Sequence, residues 1–96
     1  MEKPDMVKIT NVQFKGLLEE WYRTSSTIGN KSTADAIRYT KTTGVLIGGS
    51  DHLEKGQIIL NTLASRTNGL YENLSIDERK IADAIFDDTY NALNGR

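Results

Sequence analysis

The segment Ser75-Ile76-Asp77-Glu78 constrains this chain more than any other. A serine followed three residues later by a glutamate is a capping box. Each side chain takes a backbone N–H that the first helical turn leaves without a partner. Acidic residues in that turn also suit the positive end of the helix dipole. Behind them, Ile81, Ala82, Ile85, Phe86, Ala92 and Leu93 recur at helical spacing, and Asn94-Gly95 supplies a stop. A long amphipathic helix follows, and its apolar stripe needs other elements to cover it.

Three more helices are marked by their punctuation. The first spans about Val12 to Arg23, with Phe14, Leu17, Leu18 and Trp21 on one face, weakened slightly by Gly16. Trp21 reads as core. Ser32 is a good N-cap for a short, polar, basic helix from Thr33 to Thr42, which Gly44 stops. The third helix starts at Ser50 or Asp51, where Asp51 and Glu54 have capping-box spacing, and runs to Asn68-Gly69. Its expected inner face is Leu53, Ile59, Leu60 and Leu63. Leu70-Tyr71-Glu72-Asn73-Leu74 then joins it to the last helix as an antiparallel hairpin. The triplet Val45-Leu46-Ile47 lies between glycines and is expected to be extended, at most pairing with Met6-Val7-Lys8-Ile9-Thr10 as a minimal strand pair. The expected fold is mainly α: four helices with a C-terminal antiparallel helical hairpin, in one domain over residues 1–96.

An apolar content of 38% with 26% charged residues is ordinary for a globular domain of this length. No apolar run is long enough to cross a bilayer, and Met1-Glu2-Lys3-Pro4-Asp5-Met6 lacks the layout of a secretory signal. Without cysteine there is no disulfide, thiol nucleophile or thiolate metal site, so packing alone must hold the fold. The net charge of −1 excludes a global basic field for nucleic acid, but the charges are segregated. Arg23, Lys31, Arg38 and Lys41 face only Asp35 in the middle of the chain, whereas Asp77, Glu78, Asp83, Asp87 and Asp88 crowd the last helix. This pattern fits either a local anion site or solvated helix faces of opposite sign.

Two polar, glycine-containing loops feed helix starts: Gly29-Asn30-Lys31-Ser32-Thr33 and Gly48-Gly49-Ser50-Asp51-His52. Such loops can aim backbone N–H groups and a helix dipole at a phosphate. Asn30, Lys31, Ser32, Thr33, Gly48, Gly49 and Ser50 are the candidate phosphate-binding residues, although a cap alone would explain Ser32. His52 and Lys55 are three apart on a helix, close enough for an imidazole and an ammonium to lie side by side as a general base and a charge stabiliser. A surface histidine in a helix cap is the plainer alternative. Asp35 and Arg38 have the same spacing and read either as an ion pair or as a positioning carboxylate and a phosphate clamp. Gly29-Asn30-Lys31-Ser32 lacks the first glycine of a P-loop. One histidine with no carboxylate cluster argues against a metal centre, so no cofactor is expected. The scattered Trp21, Tyr22, Tyr39, Tyr71 and Tyr90 make no base-stacking platform.

Gly29 to Arg38, Thr43-Gly44, Gly48 to Gln57 and Asp88 to Gly95 together resemble a C-terminal toxin module of bacterial polymorphic toxins, over about two thirds of the chain. Such modules are the variable tips of contact-dependent inhibition, wall-associated, Rhs or type VII-exported proteins, and a cognate immunity protein blocks them at home. The resemblance implies a metal-independent endoribonuclease that cuts tRNA-type RNA in the target-cell cytoplasm, delivered on a larger carrier. A stand-alone relative starting at Met1 would be cytoplasmic. In that mechanism His52 serves as general base or acid for attack of a ribose 2′-hydroxyl, and Lys55, Arg38 and Lys31 stabilise the phosphoryl oxygens. Asp35 positions a partner. The rival class is a non-enzymatic helical binding module, such as an immunity, adaptor or anti-defence protein, with the two helix starts as an anion pocket. A third option has the protein work through its acidic fourth helix. The oligomeric state is open. On the catalytic reading, His52→Ala is expected to abolish activity while leaving the melting temperature nearly unchanged.

Overall fold

The computed structural model describes residues 8–22, 32–44, 52–65 and 67–95. Among them lie four α-helices: α1 (Val12–Tyr22), α2 (Thr33–Thr43), α3 (His52–Ala64) and α4 (Ile76–Leu93), with a 3-10 turn at Tyr71–Asn73. No described residue is in a strand. The Val45-Leu46-Ile47 triplet lies outside the described residues. None of the described helices is long and apolar enough to cross a membrane.

Side chains cap the helices largely as their residue types dictate. Asn11 Oδ1 accepts from Phe14 N (3.0 Å) at the start of α1. Ser32 Oγ accepts from Asp35 N (3.2 Å) at the start of α2, and Gly44 ends that helix at φ 75°. At α4 the capping box is complete: Ser75 Oγ accepts from Glu78 N, and Glu78 Oε1 accepts from Ser75 N. The other Glu78 oxygen accepts from Thr10 N (3.2 Å) and Asn11 N (3.1 Å), which ties the start of α1 to the start of α4. Backbone N–H groups of Ser75 and Asn11 are the main reason this buried carboxyl sits below the usual glutamate range. Its stabilising contribution is complete above the ordinary glutamate pKa and is lost as the pH falls through the depressed value.

Two features of α3 differ from the sequence reading. Helix α3 stops at Ala64 rather than near Asn68-Gly69 because its polar tail prefers local side-chain bonds. Asn68 Nδ2 donates to Thr62 O (2.9 Å), Asn68 Oδ1 accepts from Leu70 N (2.9 Å), and Ser65 Oγ accepts from Thr67 N (3.2 Å). Leu70 is thereby folded back into the core. Leu53 is exposed instead of facing inward, and Gly56 holds the central position of the inner face.

Phe14, Leu18 and Trp21 of α1 are fully buried against Ala34 and Ile37 of α2, Ile59 and Leu63 of α3, and Ala82, Ile85 and Ala92 of α4. Burying a side chain of this size stabilises the fold by about 1.5–3 kcal/mol. Gly56, early in α3, lies against Ile37, Thr89 and Leu93, whereas Leu63 and Ala64, at its end, share a hollow with Asp83 and Phe86. Contacts in that order are those of antiparallel neighbours. A Cβ on Gly56 would stand 2.6 Å from Ile37 Cδ1 and 3.3 Å from Thr89 Cγ2, so the buried Ile37 side chain would have to shift to admit it. Gly16 has nothing within 4 Å of such a Cβ. Gly16→Ala should therefore stabilise the protein by about 0.5–1 kcal/mol through helix propensity. Gly56→Ala should destabilise it by about 1 kcal/mol, because an overpacking cost of about 1–3 kcal/mol outweighs the same gain. Urea unfolding of both variants checks the opposite signs.

Candidate functional site

Ser32, Thr33 and Asp35 lie at the start of α2, Arg38 lies in its middle, and His52 and Lys55 lie at the start of α3; the protein itself uses most of their polar groups. Ser32 is buried, with its hydroxyl committed to the cap. Thr33 is fully buried, and its Oγ1 donates to Trp21 O (3.1 Å). The Trp21 indole N–H in turn donates to Thr89 Oγ1 (2.9 Å). Thr33 is thus a link between α1 and α2, which corrects its assignment as a phosphate contact: a hydroxyl with no exposed surface cannot meet a solvent-borne anion. Asn30, Lys31, Gly48, Gly49 and Ser50, and with them the proposed meeting of the two loops, lie outside the described residues.

Arg38 is brought to Asp35 at 3.4 Å, as the three-residue spacing requires, and also across to α4. Its Nη2 lies 2.6 Å from Asp88 Oδ1 and 3.2 Å from Asp88 O. One turn on, Lys41 donates to the Leu93 carbonyl, where a cation meets the negative end of the α4 dipole. Arg38 and Lys41, the described cations of the basic middle, therefore dock on α4. An arginine compensated by two carboxylates would have to surrender them to hold phosphate.

His52 opens α3 and is 3% exposed. It shares the inward face with Gly56, one turn later, whereas Lys55 turns toward α1, where its Nζ lies 3.3 Å from Glu20 Oε2. The side-by-side imidazole and ammonium are replaced by a buried ring and an interhelix ion pair. Burial also corrects the expectation that His52→Ala would leave the melting temperature unchanged, since truncating a packed side chain removes its contacts.

A concavity of another kind lies among the described residues. Between α1 and α3 runs a cleft of about 420 Å³ with an aliphatic lining of Leu17, Ile58, Ile59 and Leu70. The Glu20–Lys55 pair lies at one end, and Gln13, Thr62 and Asn68 supply neutral polar groups toward the other. Ile58 is 57% exposed there. Helical periodicity missed this surface because Ile58 falls outside the buried stripe; an isoleucine beside the pair Ile59-Leu60 was the one available signal. The pairing of Asp88 with Arg38, Glu20 with Lys55 and Thr89 with Trp21 is not legible in the sequence, because these partners lie 35 to 68 residues apart. Comparison with protein-family models, curated proteins and solved structures finds no match to this chain.

Tyr22, the last residue of α1, senses Asp88 on α4. Burial, and secondarily the Asp88 carboxylate, push its phenol up to about 12. The stability this confers is intact below the ordinary tyrosine pKa of about 10 and is lost as the pH rises toward the folded value. Asp88→Asn should lower the Tyr22 pKa while leaving it above the ordinary value, because burial is the larger cause. Tyrosinate absorbance, followed against a Tyr22→Phe reference, checks this.

Proposed function

We propose that this chain acts by binding rather than by catalysis, as a small helical interaction module that presents the α1–α3 cleft to a protein partner. One observation carries the reading: each described group proposed for catalysis already has a structural use. Arg38 is compensated by Asp35 and Asp88, Lys55 by Glu20, Thr33 spans two helices, and His52 is buried. The cleft adds support, because exposed Ile58 and half-buried Leu17 on two neighbouring helices, above the buried Ile59, line the kind of groove that receives an apolar helix face. The module can serve as an immunity, adaptor or anti-defence protein. All three classes need a specific surface and no general base.

The decisive experiment incubates the purified chain with total cellular RNA and with plasmid DNA in the presence of EDTA, beside a His52→Ala variant shown by circular dichroism to be folded. Intact nucleic acid in every lane, together with unimpaired cloning and expression without a partner, is the expected result. Discrete RNA fragments lost in the variant would overturn the binding reading. They would support the metal-independent endoribonuclease of a polymorphic toxin, acting on RNA and held in check by an immunity protein. On the binding reading, Ile58→Glu should reduce binding of a hydrophobic fluorescent probe, with little change in melting temperature because Ile58 is already largely exposed.

A further inference from the structure

On the α4 side of α3 lies a second concavity, of about 240 Å³, formed by Leu63, Ala64, Tyr71, Asp83 and Phe86. Its chemistry is that of a cation site. Tyr71 and Phe86 contribute aromatic rings, whose faces attract an ammonium or guanidinium. Asp83 contributes a carboxylate, oriented by a hydrogen bond from Tyr71 Oη to its Oδ1 (3.0 Å). Ala64 is the last residue of α3, so the negative end of that helix dipole falls at the same place.

The protein already satisfies part of this preference internally. The Arg79 guanidinium carbon lies 5.4 Å from the centroid of the Tyr71 ring, and Arg79 Nη2 donates to Glu72 O (2.9 Å). Phe86 is held in place by stacking on Tyr90, with centroids 6.3 Å apart and planes 9° from parallel. A ring fixed on α4, an oriented carboxylate and a helix C-terminus thus converge on a space large enough for the end of a basic side chain.

We infer that this hollow binds a lysine or arginine side chain projecting from a partner protein, with its aliphatic stem along Leu63 and Ala64 and its cationic head between Asp83 and Phe86. The Asp83 carboxylate in the hollow selects the partner: exposed Lys80 and Asp87 stand one turn before and one turn beyond it and offset each other, so the charge inside the hollow itself favours a basic side chain over a neutral or acidic one. The site lies on a different flank of α3 from the cleft and does not depend on the reading given to it.

The test is an NMR titration of the isotopically labelled protein with a short peptide of alternating glycine and lysine or arginine. A glutamate peptide of equal length and choline serve as comparisons. The expected result is shifts centred on Leu63, Ala64, Tyr71, Asp83 and Phe86 with the basic peptide only, with binding weakened roughly tenfold by Asp83→Asn through loss of a charge-assisted contact. Phe86→Leu, which keeps the apolar volume, should weaken binding as well. Asp83 is exposed, so its variant keeps the test decisive even if the Phe86 variant unfolds. Shifts spread over all exposed carboxylates, or an affinity unchanged in Asp83→Asn, would overturn the proposal. Choline binding as strongly as the peptide would also overturn it and assign the hollow to a small ammonium ligand.

Discussion

Trp21 is the side chain on which the arrangement of the helices depends. Its ring is fully buried, its indole N–H is satisfied by Thr89 on α4, and its carbonyl accepts the hydroxyl of Thr33 on α2. Three helices meet at one residue through two buried hydrogen bonds. Burying such groups is tolerated only with partners in place, since an orphaned donor costs about 1–3 kcal/mol. The two threonines therefore specify where α2 and α4 sit along α1, which apolar packing alone would leave less sharply defined. The T-shaped contact of Trp21 with Tyr22 (centroids 4.7 Å apart) extends the cluster toward Asp88.

Charge segregation acts in the same direction. Arg38 and Lys41 on α2 meet Asp88 and the Leu93 carbonyl at the end of α4, so these opposite signs form a seam between the two helices. Isolated surface ion pairs contribute little, about 0–1 kcal/mol, but a pair that is partly shielded and joined to a buried core also helps to select one register over another. The same seam leaves these cations less able to serve an external anion. Glu78 adds a third tie, from the first turn of α4 to the start of α1. Together these bonds account for most of the conspicuous polar residues without invoking chemistry.

Two surfaces of the described residues not absorbed in this way are the apolar cleft between α1 and α3 and the aromatic hollow between α3 and α4. They lie on different flanks of α3, a helix whose narrow inner face at Gly56 lets it approach α2 and α4 closely. A short helix held by one flank offers its other residues to partners. A small domain with a modest core can present specific surfaces in this way.

The sequence by itself determined the helical class, the Ser75–Glu78 box, the Ser32 cap, the Gly44 stop and the burial of Trp21, because these follow from spacing and local hydrogen bonding within a few residues. It also allowed the Asp35–Arg38 pair, as one of two readings. Only the tertiary structure decided that Thr33 faces Trp21, that Arg38 reaches Asp88, that Lys55 turns to Glu20 and that His52 is buried. Those partners lie on other helices, and periodicity tells which face a residue occupies but not what stands opposite it. The end of α3 was misread for a related reason. Asn68 and Ser65 can support a helix or break it, and the choice depends on whether Leu70 has a core to fold back into.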